Sequence, residues 1–194
     1  MLPRRYPAPD RRLPLTCGDL PAWLCAPGSL TARLRSHGVV TVRVLQQGHR
    51  PLWRQEQRAL GERSGHVREV MLMVDGRPAV WARSVTTLRA ARGAWRAMKG
   101  LGTRPLAELL FAHRRVHRGP LQASRFPSSS PEGRHLARGW QTRAPEAIAA
   151  TPSWARHSIF RHKGHPLQVL EAFSPWVGGL EAGRTGAVRR GHRR

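Results

Sequence analysis

His66-Val67-Arg68-Glu69-Val70-Met71-Leu72-Met73-Val74-Asp75-Gly76-Arg77-Pro78-Ala79-Val80-Trp81-Ala82-Arg83-Ser84-Val85-Thr86 is the stretch on which the fold turns. Asp-Gly between two apolar runs predicts a hairpin closed by a type I′ turn, because both central residues of that turn need positive φ. A second hairpin is expected from Arg156–His162, Lys163-Gly164 and His165–Phe173. A two-residue loop fixes the register. Counting back from the tip without interruption sets Val74 against Arg77 and Arg68 against Arg83, with Val70, Leu72, Ala79 and Trp81 on the same face. Opposed side chains on one face stand about 5 Å apart. Two guanidiniums that close repel each other unless an anion lies between them, and the arginine fork grips carboxylates bidentately. In the second hairpin the same count sets Arg156 against Glu171, which shares its face with Leu167, Val169 and Phe173. A carboxylate in that company takes up its proton more readily unless a cation holds it ionised. Two readings stand at this point. One is a ligand site at the end of a greasy surface. The other is a structural Arg156–Glu171 pair, with Arg68 and Arg83 reaching along their stems to water.

A chain of 194 residues, 40% hydrophobic, can build one domain with a real core. Its formal net charge of +23 would ordinarily point to nucleic acid or an anionic surface. Two features argue against that. Only Lys99 and Lys163 are lysines, and the arginines concentrate outside the hairpins: Arg4, Arg5, Arg11 and Arg12, then 114–143, then 184–194. No specific nucleic acid is therefore expected as a partner, although low-salt adhesion to polyanions is. Cys17 and Cys25 are too few for a disulfide framework and lack metal-ligand company, which fits a reduced, cytoplasmic chain. No signal peptide is expected, since the basic N-terminus has no apolar h-region. No run approaches the roughly 18 apolar residues of a membrane span. His113 and His117 stand at i, i+4, but no HExxH glutamate accompanies them, so no metal site is expected.

Along the chain, residues 1–16 are expected to be loose. A short helix follows over 18–26. Ser29 caps a second helix over 30–37, which Gly38 ends. Val39–Gln46 reads as a strand, Gln47-Gly48 as a turn, Arg50–Gln55 as a weak strand and 58–65 as linker. Leu88–Gly100 reads as a helix. Thr103 and Pro105 open another, whose free amide groups suit an anion. Trp81 and Trp95 are assigned to the core. Phe126–Gly133 is loop chemistry, within a stretch of 125–152 read as an inserted loop. The basic tail 176–194 is expected to be disordered. Sequential antiparallel strands with helices before and between them indicate an α+β fold: a single antiparallel sheet with helices packed on one face.

Four ordered blocks carry a family resemblance across residues 17–175. They are Ser29-Leu30-Thr31-Ala32-Arg33-Leu34 with Val40-Thr41-Val42; Val67-Arg68-Glu69-Val70 with Asp75-Gly76-Arg77-Pro78 and Ala82-Arg83-Ser84-Val85; Leu101-Gly102-Thr103-Arg104-Pro105-Leu106 with Leu110-Phe111; and Trp154-Ala155-Arg156-His157-Ser158 with Gly164-His165-Pro166-Leu167 and Leu170-Glu171-Ala172-Phe173. Together they resemble the chorismate pyruvate-lyase family of ubiquinone biosynthesis. The resemblance implies a sheet of about six strands, a buried site under helical flaps, and a monomeric lyase without cofactor. Such a lyase splits chorismate into 4-hydroxybenzoate and pyruvate and is held back by its own product. The resemblance further implies that Arg68 holds a ligand carboxylate, that Glu171 is the acidic residue of the site, and that the backbone at Leu106 and at the flap position Leu30 contacts ligand. Arg83, and Arg156 beside Glu171, are candidate substrate contacts from register; each could instead be structural. Glu171 either handles a proton or hydrogen-bonds the departing enolpyruvyl group. The extra residues around Phe126–Thr151 depart from the family. Two other classes compete: a non-catalytic sensor of aromatic carboxylates with the same architecture, and a basic nucleic-acid-binding protein.

Overall fold

The computed structural model describes residues 20–112, 115–143 and 151–182. The segment 1–16, Cys17, His113 and the end of the basic tail lie outside those residues. In chain order the elements are α1 (Leu20–Cys25), α2 (Leu30–Leu34), β1 (Val40–Pro51), α3 (Arg54–Leu60), β2 (Ser64–Val74), β3 (Arg77–Thr86), α4 (Leu88–Arg92), α5 (Leu106–Ala112), β4 (Val116–Arg118), β5 (Gln122–Arg125), α6 (Pro131–Arg143), β6 (Trp154–His162) and β7 (His165–Phe173). All the strands join one antiparallel sheet in the order β1-β2-β3-β7-β6, with β4 and β5 both along the outer edge of β6. That is one strand more than the resemblance implies, because Gly119-Pro120 divides the edge position in two.

Both hairpin tips form as their dipeptides dictate. Asp75 and Gly76 take φ of 48° and 77°, and Lys163 and Gly164 repeat those values, the pair of positive angles a type I′ turn requires. The second hairpin then runs without slippage, and Arg156 pairs with Glu171. The first does not. Its ladder shifts between Leu72 and Met73, so Met73 pairs with Pro78 while Leu72 pairs with Val80 and Ala79 is left over. Pro78 has no N–H to give the ladder, and a bulge is where a sheet tolerates proline. One extra residue sends each later β3 side chain to the other face. Arg68 consequently pairs with Ser84, and Arg83 pairs with Glu69. The Arg68–Arg83 opposition counted from the tip is corrected, and Trp81 leaves the Arg68 face.

The sheet is covered on both faces, not one. On the Arg68 face, Leu20, Trp23 and Leu24 of α1 and Leu30 and Leu34 of α2 pack on Val70, Leu72 and Phe173. Further along that face, Trp95, Met98 and Leu110 pack on Phe160, Leu167 and Val169. On the opposite face, Leu136 and Trp140 of α6 pack on Met71, Trp81, Leu170 and Ala172. The segment read as an inserted loop therefore supplies the helix that covers the second face. Other boundaries also move. β1 runs through Gly48 to Pro51, and Arg54–Leu60 is helical where a weak strand and linker were expected. The helix expected over 88–100 breaks at Gly93 into α4 and a 3₁₀ turn, Arg96–Gly100. Pro175–Gly179 forms a 3₁₀ turn in which Val177 is fully covered, so the start of the tail is ordered.

Candidate functional site

Strand alternation carries Arg68, Val70 and Leu72 of β2, Ala82 and Ser84 of β3, and Val169 and Glu171 of β7 onto one face, where they line a common cavity of about 40 Å³. Leu30 and Thr31 of α2, with Pro105, Leu106, Leu110 and Phe111, complete its lining. Mostly apolar walls thus surround a guanidinium and a carboxylate, and in such surroundings charge interactions are strong.

Arg68 is only 1% exposed. Its Nη2 donates to the carbonyls of Gly102 at 2.8 Å and Arg104 at 3.1 Å, in the turn that leads into α5. Its buried Nε has no partner among the described residues. Burial pulls its pKa below the usual arginine value. Two neutral carbonyls orient the group without neutralising it, and a buried cation left so costs several kcal/mol unless an anion joins it. The outcome excludes a side chain that reaches out to water.

Glu171 is held differently. Arg156 Nε donates to its Oε2 at 2.6 Å, while Arg156 Nη1 donates to the carbonyls of Trp23 at 3.0 Å and Ala26 at 2.8 Å. Those carbonyls lie at the C-terminal end of α1, which helix geometry leaves open to outside donors. Arg156 thereby fixes the carboxylate against the cavity wall. The pairing read from the second hairpin is present, and Glu171 opens on the same cavity as Arg68.

Arg83 does not reach this cavity. On the opposite face its Nε and Nη2 donate to both oxygens of Glu56, at 2.7 and 2.9 Å, and its Nη1 donates to Glu69 Oε1. Glu69 also accepts from Gln46 at 2.6 Å and bonds His135 at 2.8 Å. This closed network raises the pKa of Arg83: burial alone would lower it, but Glu56 and Glu69 outweigh that.

Sequence reasoning missed one charged residue of the site. Arg118, at the end of β4, lines the cavity beside Glu171 and Phe160. It falls in a stretch with no readable periodicity, and a three-residue edge strand leaves almost no signal. A larger cavity, of about 320 Å³, lies on the opposite face against Gln55, His157 and Gln168. Its buried unpartnered atoms belong to neutral amides and an imidazole, and burial lowers the pKa of His157 further. The smaller cavity is where buried cation and carboxylate meet. Among the described residues, no three His, Cys, Asp or Glu side chains stand close enough to hold a metal ion. No described helix is long and apolar enough to cross a membrane.

The family model described as Chorismate lyase matches residues 13–177. A protein of Azoarcus sp. strain BH72 described as "Probable chorismate pyruvate-lyase" is 45% identical over 165 residues, covering 81% of this chain and 85% of its own. One of the same description from Albidiferax ferrireducens is 41% identical over 167 residues, covering 82% and 85%. Another from Bordetella pertussis is 38% identical over 178 residues, covering 84% and 91%. Among solved structures, a transcriptional regulator of the GntR family from Enterococcus faecalis V583 overlays with a TM-score of 0.44 at 10% identity, covering 71% of this chain and 91% of that one.

Proposed function

The chain belongs to the chorismate lyase family, and from that premise we infer that it cleaves chorismate to 4-hydroxybenzoate and pyruvate, the first committed step of ubiquinone biosynthesis. The observation that carries the reading is Arg68: a buried guanidinium, oriented by two carbonyls and lacking a carboxylate partner among the described residues, in an apolar cavity that also holds Glu171.

In the reaction the ether bond to the ring breaks and a ring hydrogen is lost as the ring becomes aromatic. The departing enolpyruvyl group ends as pyruvate with a proton on its methylene carbon. Aromatisation makes the step downhill, so the protein needs to orient the substrate, exclude water and assist proton movement. Arg68 clamps the ring carboxylate. The backbone at Leu30 and Leu106, both in the cavity lining, closes on the ligand. Glu171, steadied by Arg156, is placed to accept or relay the proton. The enzyme works in this reading as a cytoplasmic monomer without cofactor.

A cavity of about 40 Å³ holds little more than a few waters. Chorismate therefore enters by outward movement of α2 and α5, and 4-hydroxybenzoate, which keeps the carboxylate on Arg68, leaves the same way. Release then limits turnover. The test is pyruvate release from chorismate in a coupled assay, followed through the first turnover by stopped flow. The expected result is a burst of product followed by a slower steady rate. No pyruvate, with 4-hydroxybenzoate still bound, would mark a ligand-binding domain instead.

A further inference from the structure

Arg118 is anchored as Arg68 is. Its Nε donates to Ser158 Oγ at 2.9 Å and its Nη1 to the Gly28 carbonyl at 3.1 Å. Its guanidinium carbon lies 5.3 Å from the centroid of the Phe160 ring. Each of these partners is neutral. Of the other arginines buried in the hairpins, Arg83 grips Glu56 and Glu69 and Arg156 grips Glu171. Among the described residues no carboxylate stands within ion-pair distance of Arg118 or Arg68. One small cavity is thus flanked by two oriented cations without counterions. Burial lowers the pKa of Arg118, Arg156 lowers it further, and Glu171 acts in the opposite sense. Its partner Ser158 pairs with Val169, two residues along the same face from the Arg156–Glu171 pair, so Arg118 stands at the Glu171 end of the cavity, whereas Arg68 is tied to the turn before α5.

Chorismate is a dianion, with one carboxylate on the ring and one on the enolpyruvyl group; 4-hydroxybenzoate keeps only the first. We propose that Arg118 forms a second anion subsite, which holds the enolpyruvyl carboxylate of the substrate while Arg68 holds the ring carboxylate. The proposal rests on the lyase reading above. It places the leaving group beside Glu171, and it gives the site a means of telling substrate from product. A guanidinium–carboxylate contact at such a place is a charge-assisted bond.

The subsite is tested on the full chain by comparing wild type with Arg118→Gln and Arg118→Lys. Equilibrium affinities for chorismate and 4-hydroxybenzoate are read beside KM and kcat. The expected result for Arg118→Gln is chorismate binding weakened by roughly ten- to a hundredfold, the range of one lost charge-assisted bond, with 4-hydroxybenzoate affinity changed less than about threefold. Arg118→Lys recovers part of the loss. Equal weakening of both ligands, or of neither, overturns the proposal, since a purely structural role through Gly28 and the α1–α2 turn would move both together. A measurement on wild type alone guards against a variant that fails to fold. Chorismate esterified at the enolpyruvyl carboxylate should bind far more weakly than chorismate, and equal binding refutes the subsite. Absence of pyruvate from wild type would end the lyase reading separately, and the affinities would still decide the role of Arg118.

Discussion

Arg156 sets the orientation of the Glu171 carboxylate. It engages Oε2 and is itself fixed by the carbonyls of Trp23 and Ala26. Glu171→Gln keeps the size of the side chain and can still accept a hydrogen bond, but it cannot carry a proton. If Glu171 handles a proton, kcat falls by about 10²-fold or more while 4-hydroxybenzoate affinity stays within a few-fold. An unchanged kcat would leave Glu171 as a hydrogen-bonding wall only. On the opposite face Glu69 makes a different prediction. Burial would raise its pKa, but the bond and charge of His135, the charge of Arg83 and the Gln46 bond outweigh burial and hold it below the ordinary value of 4.5. A carboxyl depressed on folding adds stability that is present above its unfolded pKa and lost as pH falls through the folded one. Wild type should therefore lose stability steadily below about pH 4.5, and Glu69→Gln should flatten that acid limb. The same substitution should cost about 1.5–3 kcal/mol near neutrality, because it removes one charged partner from Arg83, which keeps Glu56. Urea melts across pH measure both, and an acid limb unchanged in the variant would assign the titration to other carboxyls.

The elements that were legible in the sequence are those with local causes. Two dipeptides with positive φ fixed both hairpin tips, and Ser29, whose Oγ accepts from Ala32 N at 3.2 Å, marked the start of α2. The Arg156–Glu171 pairing was legible because nothing interrupts that ladder. Arg83 was misplaced by a single residue, and the signal that could have prevented it was Pro78, a residue that a continuous ladder does not accommodate. α6 was missed although its start is readable: Ser130 Oγ accepts from Gly133 N at 2.9 Å, and Pro131 and Glu132 occupy the first turn. Its interior hid it, since Leu136 and Trp140 are the only fully buried large apolar residues along it, too sparse a stripe for periodicity. What they bury against, Trp81 and Leu170, is distant in sequence. Trp140→Ala should consequently cost about 3–5 kcal/mol in unfolding free energy. Below its melting temperature it should leave the KM for chorismate unchanged, because α6 and the cavity lie on opposite faces. A shifted KM with full stability would reverse that assignment.

At the scale of the molecule the two faces of one sheet divide the work. The Arg68 face holds a cavity whose cations Arg68 and Arg118 have no carboxylate partner among the described residues, and the other face holds the closed Glu56–Arg83–Glu69 network beneath α3 and α6. A site that waits for an anion is destabilising by itself. The remaining positive charge, most of a formal +23, needs no nucleic acid to matter, because the proposed substrate is a dianion. Like-signed surface charge draws such a ligand in by long-range attraction, and salt screens that attraction over a Debye length of about 10 Å at 0.1 M. Chemistry and product release inside an apolar cavity are shielded from the same screening. Raising the salt from 20 to 500 mM should therefore lower kcat/KM for chorismate several-fold, up to about tenfold, and leave kcat nearly constant. The binding of 4-hydroxybenzoate, with one charge fewer, should show a shallower slope than chorismate. Steady-state kinetics at five or six ionic strengths, with a non-binding salt such as potassium chloride, separates the outcomes. A flat kcat/KM would mean that the surface arginines do not steer the substrate, and a fall confined to kcat would mean that salt reaches the cavity itself.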